Sequence, residues 1–214
     1  MSWLPIYNSW AVFVVIVSVF LWKLLGVVFF LFVLGVSLFF LVGEVLSSGR
    51  RYPSAFWLFI LTEMLAFGSL FSVCIWSEDE GVLSISDYME LPLLGSFLLL
   101  SSSVTVTAYH HFVGLGRAWV FLVPTVVLGL CFVLMQIWEL ADCECDLLWS
   151  TYDAACFCTV GLHFSHVLLG VGGLSVLLYL GARFVGKFYV NVAVWYWHFV
   201  DYVWLWVFLL IYVA

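Results

Sequence analysis

Polar and charged residues divide the chain into seven apolar runs. The runs cover residues 5–22, 24–46, 54–76, 92–113, 118–140, 152–179 and 188–213. A helix needs about 20 mostly apolar residues to cross the hydrocarbon layer of a membrane. Every run is close to that length or longer, so the pattern predicts an all-α, polytopic membrane protein with seven transmembrane helices.

The first two runs are separated only by Lys23. A single helix through both runs would contain about 42 residues and extend about 63 Å, at 1.5 Å per residue. That length is about twice the thickness of the hydrocarbon layer. We therefore expect two helices here, although the pattern does not define where the first ends and the second begins.

The composition is that of a membrane protein. Hydrophobic residues make up 66% of the chain and charged residues only 9%, and the mean hydropathy is +1.22. A soluble domain has roughly 45–50% apolar and about 25% charged residues. An ordinary soluble domain is thereby excluded, and we expect no nucleic-acid partner. The opening sequence MSWLPIYNSW lacks the basic segment of a secretory signal, so we expect the first helix to be retained.

Basic residues mark every second connection between the runs. Those that follow runs two, four and six are Arg50, Arg51, Arg117, Arg183 and Lys187. The connections after runs three and five contain acidic residues and neither lysine nor arginine. Connections rich in lysine and arginine face the inner compartment. We therefore expect the N-terminus inside and the C-terminus outside, with Lys23 as the one exception.

Several ionisable or strongly polar side chains fall within the apolar runs. An ionisable group at the centre of a membrane costs about 2.5–3.5 kcal/mol on insertion scales, so each needs a partner or a function. The candidates are Glu63, His110, His111, Gln136, Glu139, His163, His166, His198 and Asp201. Glu63, near the centre of run three, is either a proton-active or water-organising carboxylate or a neutral acid that bonds between helices.

The last run contains the sequence WYWHFVDYVW at residues 195–204. His198 and Asp201 are three positions apart, so they share a helix face and can pair. Trp197, Asp201 and Trp204 lie along nearly one stripe, and buried indole N–H groups need hydrogen-bond partners. We predict that this stripe packs against other helices, of this chain or of a partner.

Five histidines raise the possibility of a metal site. His163 and His166 share a helix face, but a di-iron carboxylate site would need Glu-x-x-His pairs, which the sequence lacks. We therefore expect no metal site in this chain, with the histidines bonded to polar groups of neighbouring helices.

Six cysteines require separate consideration. Cys74 and Cys131 lie in apolar runs and are expected to be small core residues. The pairs Cys143-x-Cys145 and Cys156-x-Cys158 could bind a metal or form disulfides. Structural zinc sites usually have two to four residues between ligands, which does not favour zinc here.

A series of motifs, in chain order, resembles cytochrome c oxidase subunit III. AVWYWHFVDYVW at residues 193–204 resembles the last helix of that family, and FILTE at 59–63 resembles its third helix with an intramembrane glutamate. ELPLL at 90–94 and the histidines at 110–111 resemble the start and end of the fourth helix. QIWE at 136–139 and HFSH at 163–166 resemble motifs of the fifth and sixth. The resemblance covers residues 50–212.

The resemblance implies a non-catalytic subunit of a proton-pumping terminal oxidase, which transfers electrons from cytochrome c to oxygen. Haem a and copper would be held by the two other core subunits, I and II. Accessory subunits would also be partners of this chain. The chain would pack on subunit I, support its proton uptake and slow its inactivation. Residues 1–46 would form the first two helices and residues 47–214 a five-helix bundle, with phospholipids in a cleft between them.

The resemblance also implies roles for particular residues. Glu63, His198 and Asp201 would be proton-related. Structural polar roles would fall to His110, His111, Gln136, Glu139, His163 and His166. Lipid contacts would come from Arg50, Arg51, Trp57, His166, Arg183 and Lys187. The basic residues of this set would alternatively serve only as topology signals.

The sequence is also compatible with three other functions. The alternatives are subunit III of a quinol oxidase, an independent proton-conducting protein that uses Glu63, and a haem-binding membrane protein. A mitochondrial inner membrane is favoured over a bacterial one, with the N-terminus in the matrix and the C-terminus in the intermembrane space.

Overall fold

The computed structural model describes residues 3–21, 23–48, 53–77, 89–114, 117–143 and 150–213. The described residues form helices joined by short connections, with no β-strand among them. The helices are α1 (Leu4–Phe20), α2 (Leu24–Ser48), α3 (Pro53–Ser77), α4 (Leu91–Phe112), α5 (Trp119–Asp142), α6 (Thr151–Leu180), α7 (Ala182–Val185) and α8 (Lys187–Val207), which continues as a π-helix (Phe208–Val213).

The helices follow the apolar runs closely. In the described part of the chain, six helices are long and apolar enough to cross a membrane, and α1 contributes a shorter apolar segment, Leu4–Ser18. The all-α, polytopic membrane fold is therefore confirmed. The two-helix interpretation of the first runs is also correct, because α1 ends at Phe20 and α2 begins at Leu24.

The chain divides into two compact units, Met1–Tyr52 and Pro53–Ala214. In the first unit, Ser37 Oγ of α2 donates to Asn8 Oδ1 of α1 at 2.5 Å. Gly26 brings the start of α2 against α1, since a Cβ there would collide with the Ser18 side chain. Small residues at such crossings let membrane helices approach closely.

In the second unit, the helix ends have clear local causes. The Ser150 hydroxyl caps α6 by accepting the backbone N–H of Asp153 at 3.0 Å, and it donates to the Asp153 carboxylate at 2.8 Å. Gly181 and Gly186 have φ of +79° and +87°, a conformation that glycine adopts without steric cost. These two glycines end α6 and the short helix α7, so that α8 can begin at Lys187.

The core of the second unit lies where α4, α5, α6 and α8 meet. Its largest fully buried side chains include Trp197 and Trp204 of α8 and Phe132 of α5. The outer faces are apolar and exposed, for example Leu134 and Trp138 of α5. Such a surface suits lipid or the apolar face of another membrane protein.

Candidate functional site

The tryptophan stripe of α8 is buried inside the second unit, as the sequence predicted. Trp197 and Trp204 are both 0% exposed. Trp197 Nε1 donates to Ser102 Oγ at 2.9 Å and Trp204 Nε1 donates to Ser96 Oγ at 3.0 Å, both on α4. The two indole N–H groups are therefore satisfied by one neighbouring helix, which fixes the rotation of α8 relative to α4.

Glycines create the space for these rings. A Cβ at Gly129 of α5 would lie 2.8 Å from the Trp197 ring, and a Cβ at Gly170 of α6 would also lie 2.8 Å from it. Trp204 packs edge-on against Phe132, with ring centroids 4.8 Å apart and planes at 84°. The ring of Trp197 is therefore held between two helix backbones, and its position leaves no room for a side chain at either glycine.

The expected pairing of His198 with Asp201 is wrong. His198 Nδ1 lies 2.8 Å from Ser103 Oγ and its Nε2 lies 3.3 Å from Thr107 Oγ1, both on α4. Asp201 is buried, and its Oδ1 has no hydrogen-bond partner within the described ranges. Three-residue spacing permits the pair, but the hydroxyls of α4 offer His198 closer bonds between helices.

The bond between Ser103 and His198 leads to a testable expectation. Replacing Ser103 by alanine should lower the stability of the bundle by about 1 kcal/mol, the usual net value of one hydrogen bond. Thermal unfolding of the purified assembly measures the effect, and Ser101→Ala on the exposed side of α4 is the control. Equal midpoints for the two variants would show that the Ser103 bond contributes nothing.

His163 is a core residue. Its Nε2 donates to the Val200 carbonyl oxygen of α8 at 3.1 Å, and its ring packs against Trp204, with centroids 5.1 Å apart. Although His163 and His166 share a helix, they have different partners. The geometry gives His163 a role in joining α6 to α8.

His166 and Glu63 form a polar pair between α6 and α3. His166 Nε2 lies 3.1 Å from Glu63 Oε2, and the side chains are 8% and 23% exposed respectively. His166 Nδ1 lies 2.8 Å from the Leu162 carbonyl oxygen. A carbonyl only accepts, so the Nδ1 contact is an N–H donation to Leu162, and a hydrogen bond between Nε2 and the Glu63 carboxyl group requires one proton between these two atoms.

A hydrogen bond between Glu63 and His166 can form in either of two ways. Either the glutamic acid O–H donates to a neutral imidazole, or an imidazolium N–H donates to a carboxylate. Tyr196 of α8 adds a third contact by donating its O–H to the His166 backbone carbonyl at 3.2 Å. Glu63 and His166 were separate candidates in the sequence, and the structure brings them together.

The remaining polar candidates lie elsewhere. His110 and His111 are both exposed, and His110 Nε2 lies 3.0 Å from Asn191 Oδ1 of α8. Gln136 Nε2 donates to Glu139 Oε2 at 2.8 Å, and both side chains are buried near the C-terminal end of α5. These residues are thus distributed over several helix contacts and do not converge on one cavity.

Two of the residues expected to contact lipid line pockets at the surface of the second unit, whereas His166 contacts Glu63 between α6 and α3. Trp57 is exposed and lies in an apolar groove of about 390 Å³ between α3 and α8, with Trp195 and Tyr202. Arg183 lines a second pocket, of about 280 Å³, with Tyr109 and Leu177. Lys187 is the first residue of α8. Arg50 and Arg51 lie outside the described residues.

The Cys-x-Cys spacing does not produce a site at Cys156 and Cys158. Cys156 is buried while Cys158 is exposed, because residues two apart point to different sides of a helix. Cys145 lies outside the described residues. Among the residues that the structure places, no three His, Cys, Asp or Glu side chains group as metal ligands would.

Sequence analysis missed the hydroxyl face of α4. Ser96, Ser102, Ser103 and Thr107 bond the tryptophans and His198 of α8. The signal was the sequence SSSVTVT within an apolar run. Hydroxyl groups at helical spacing in a membrane helix indicate a face that hydrogen-bonds to another helix.

The fold and the site define a class of protein: a polytopic α-helical membrane protein whose ionisable groups lie mostly at contacts between helices. Comparison with known proteins narrows the class. The family described as cytochrome c oxidase subunit III matches residues 6–214. The chain therefore belongs to the cytochrome c oxidase subunit III family.

Individual relatives agree with this assignment. The cytochrome c oxidase subunit 3 of Paracentrotus lividus is 34% identical over 187 residues, which is 78% of this chain and 70% of the relative. The subunit 3 of Triticum aestivum is 36% identical over 188 residues, 79% and 70% of the two chains. That of Drosophila melanogaster is 34% identical over 174 residues, 72% and 66%. The resemblance seen in the sequence motifs is thus confirmed, and membership implies a complex with other oxidase subunits.

Proposed function

We propose that the chain is a non-catalytic core subunit of the proton-pumping oxidase that transfers electrons from cytochrome c to oxygen. In this proposal haem a and copper belong to partner subunits, and this chain supports proton uptake by subunit I, prolongs activity and binds phospholipids. The observation that carries it is the contact at 3.1 Å between Glu63 Oε2 and His166 Nε2, two groups able to exchange a proton, within the membrane-spanning part of the bundle.

The position of Glu63 supports a proton-related role. It is ten residues from the start of α3 and fourteen from its end, which places it about 15–21 Å from either end of that helix. A carboxyl group at this depth is costly unless it is bonded or neutral. The bond to His166 meets that cost, while the partial exposure of Glu63 leaves the proton reachable from outside the bundle.

Lipid binding is supported by the groove between α3 and α8. Its lining is predominantly apolar, and it includes Trp57 and Trp195, whose ring centroids are 5.5 Å apart. Amphipathic rings of this kind favour the boundary between hydrocarbon and head groups. Arg183 and Lys187 fall on the predicted inner face, where cationic side chains attract anionic head groups.

The proposed location is the mitochondrial inner membrane, with the N-terminus in the matrix and the C-terminus in the intermembrane space. The regular alternation of basic and acidic connections supports this orientation. The proposed partners are subunit I as the main contact, then subunit II and accessory subunits. A copper-binding domain in the copurified subunit II is expected, and its absence would favour a quinol oxidase.

Glu63→Gln tests the proton-related role. The amide keeps the size of the side chain and a hydrogen bond to His166, but it has no proton to exchange at neutral pH. We expect normal assembly and haem content, with proton uptake slowed and the number of turnovers before inactivation reduced several-fold. Stopped-flow proton uptake and continuous oxygen consumption measure these effects.

Met64→Leu serves as the matched control, since Met64 is the exposed neighbour on the same helix. Glu63→Asp should restore part of the lost lifetime, because a carboxyl group returns at a shorter reach. Unchanged uptake, pumping and turnover lifetime in Glu63→Gln would contradict the proposed role. A loss of thermal stability without a kinetic change would indicate a purely structural pair.

A further inference from the structure

A pair of thiols lies in contact between α3 and α6. Cys74 Sγ and Cys156 Sγ are 3.9 Å apart, and the two residues are 1% and 0% exposed. Cys74 is three residues before the end of α3, and Cys156 is five residues after the start of α6. Both therefore lie near the helix ends that the charge pattern assigns to the outer compartment.

The hydrogen bonds around this pair have a direction. The Thr159 hydroxyl donates to the Ala155 carbonyl oxygen at 2.7 Å, so its oxygen is free to accept from the Cys74 thiol at 3.9 Å. The Cys156 thiol donates to Cys74 Sγ. The Cys156 thiol thus donates to Cys74, and the Cys74 thiol donates to Thr159. When Cys74 loses its proton, its sulfur still accepts a hydrogen bond from the Cys156 thiol.

We propose that Cys74 and Cys156 form a redox-active dithiol, which a peroxide oxidises to a disulfide that joins α3 to α6. A disulfide bond is about 2.05 Å long, so the sulfurs must approach by about 1.9 Å from their present separation. The contacting sulfurs belong to two packed helices, which limits the required movement to the side chains and their immediate backbone.

The chemistry balances with a peroxide of the form ROOH. The Cys74 sulfur, losing its proton, attacks one peroxide oxygen, the O–O bond breaks, and a sulfenic acid and ROH result. The Cys156 sulfur then attacks the sulfenic sulfur, the S–O bond breaks, and water leaves with the Cys156 proton. Two thiols lose two electrons and two protons in all, and the peroxide is reduced to ROH and water.

The burial of Cys74 and Cys156 restricts which oxidants can reach the two thiols. Bulky disulfide reagents cannot reach side chains that are 0–1% exposed, whereas hydrogen peroxide is about the size of two waters and crosses packed protein during local opening. The expectation that Cys131 is a core residue is wrong, because it is exposed, as is Cys158. Neither has a thiol in contact among the described cysteines. Within the described part of the chain, neither therefore has beside it the second sulfur that turns a sulfenic acid into a disulfide.

The link would join the two helices that hold Glu63 and His166. Cys74 is eleven residues after Glu63 on α3, and Cys156 is ten residues before His166 on α6. At 1.5 Å per residue these separations are about 16 Å and about 15 Å. The disulfide would therefore restrain the same helix contact from its outer end, whatever role Glu63 has.

Differential thiol labelling of the intact oxidase tests the proposal. The complex is treated with hydrogen peroxide and denatured, its sulfenic acids are capped with dimedone, and its free thiols are blocked with light N-ethylmaleimide. The disulfides are then reduced, and the released thiols take heavy N-ethylmaleimide for mass spectrometry. We expect Cys74 and Cys156 to change from light to heavy label together as peroxide increases, while Cys131 and Cys158 never take heavy label.

Two variants assign the bond. Cys156→Ser should abolish heavy label on Cys74, and Cys158→Ser should leave it unchanged. Oxidation of the exposed Met89 in the same digest shows that peroxide reached the protein. The proposal is overturned if Cys74 and Cys156 keep the light label when Met89 is oxidised, or if Cys74 still takes heavy label in Cys156→Ser. The wild-type result decides the matter even if a variant fails to fold.

Discussion

Trp197→Ala is expected to destabilise the bundle by about 3–5 kcal/mol, the range for removing a large, fully buried aromatic side chain. The ring is 0% exposed, lies against Gly129 and Gly170, and donates a hydrogen bond to Ser102. Its removal leaves a cavity where three helices meet α8. Thermal or denaturant unfolding of the purified complex measures the loss of stability. The amount of this chain that stays bound to the complex is a second readout.

Trp206→Ala is the matched control for this substitution. Trp206 lies on the same helix but is 58% exposed, and exposed substitutions usually change stability by less than about 0.5 kcal/mol. If Trp206→Ala is as costly as Trp197→Ala, the contribution of the tryptophans comes from lipid or partner contacts instead of the buried stripe. The packing account of α8 would then be wrong.

Gly170→Val is the second substitution with a large expected effect. A Cβ at Gly170 would lie 2.8 Å from Cε3 and 2.9 Å from Cζ3 of Trp197. The indole is held by its bond to Ser102 and by Gly129 on the other side, so it cannot move away without cost. Overpacking of this kind costs about 1–3 kcal/mol, and more where the neighbours are rigid.

Gly172→Val on the same helix isolates the effect of the contact. A Cβ at Gly172 meets nothing within 4 Å, so this variant shares the change in helix propensity without the steric clash. The difference between the two unfolding midpoints reports the clash alone. Equal midpoints would mean that α6 and α8 separate freely at Gly170, contrary to the structure.

The helices could be predicted well because membrane helices reflect one simple requirement. Each backbone must satisfy its own hydrogen bonds in lipid, so length and apolarity alone locate the spans. The run at 24–46 thus anticipated α2 (Leu24–Ser48), and the run at 152–179 anticipated α6 (Thr151–Leu180). The short helix α7 was missed because two glycines with positive φ define it, and the apolar pattern does not reveal φ.

The partners of polar side chains were harder to predict. The burial of Trp197 and Trp204 followed from their stripe, since an indole N–H in lipid needs a partner. The sequence did not reveal that Glu63 contacts His166, because the two are 103 positions apart. The predicted pair of His198 and Asp201 was wrong because closeness along one helix does not decide the hydrogen-bond partner. Both ring nitrogens of His198 instead contact hydroxyl groups of α4.

The thiol contact shows the same limit. The Cys-x-Cys spacing indicated a possible site at Cys156 and Cys158, but these residues point to different sides of one helix. The actual neighbour of Cys156 is Cys74 on another helix, a residue that composition alone assigns to the apolar core. Local spacing predicts contacts within one helix, whereas contacts between helices depend on how the bundle packs.

We propose that this chain supports an oxidase whose redox centres lie in other subunits. The most direct measurement compares the purified complex before and after selective removal of this chain. It records haem and copper content, the initial rate of oxygen reduction and the number of turnovers before inactivation. The account predicts unchanged metal content and a nearly unchanged initial rate, with slower proton uptake and a shortened active lifetime. Loss of haem or copper in proportion to the loss of this chain would contradict it.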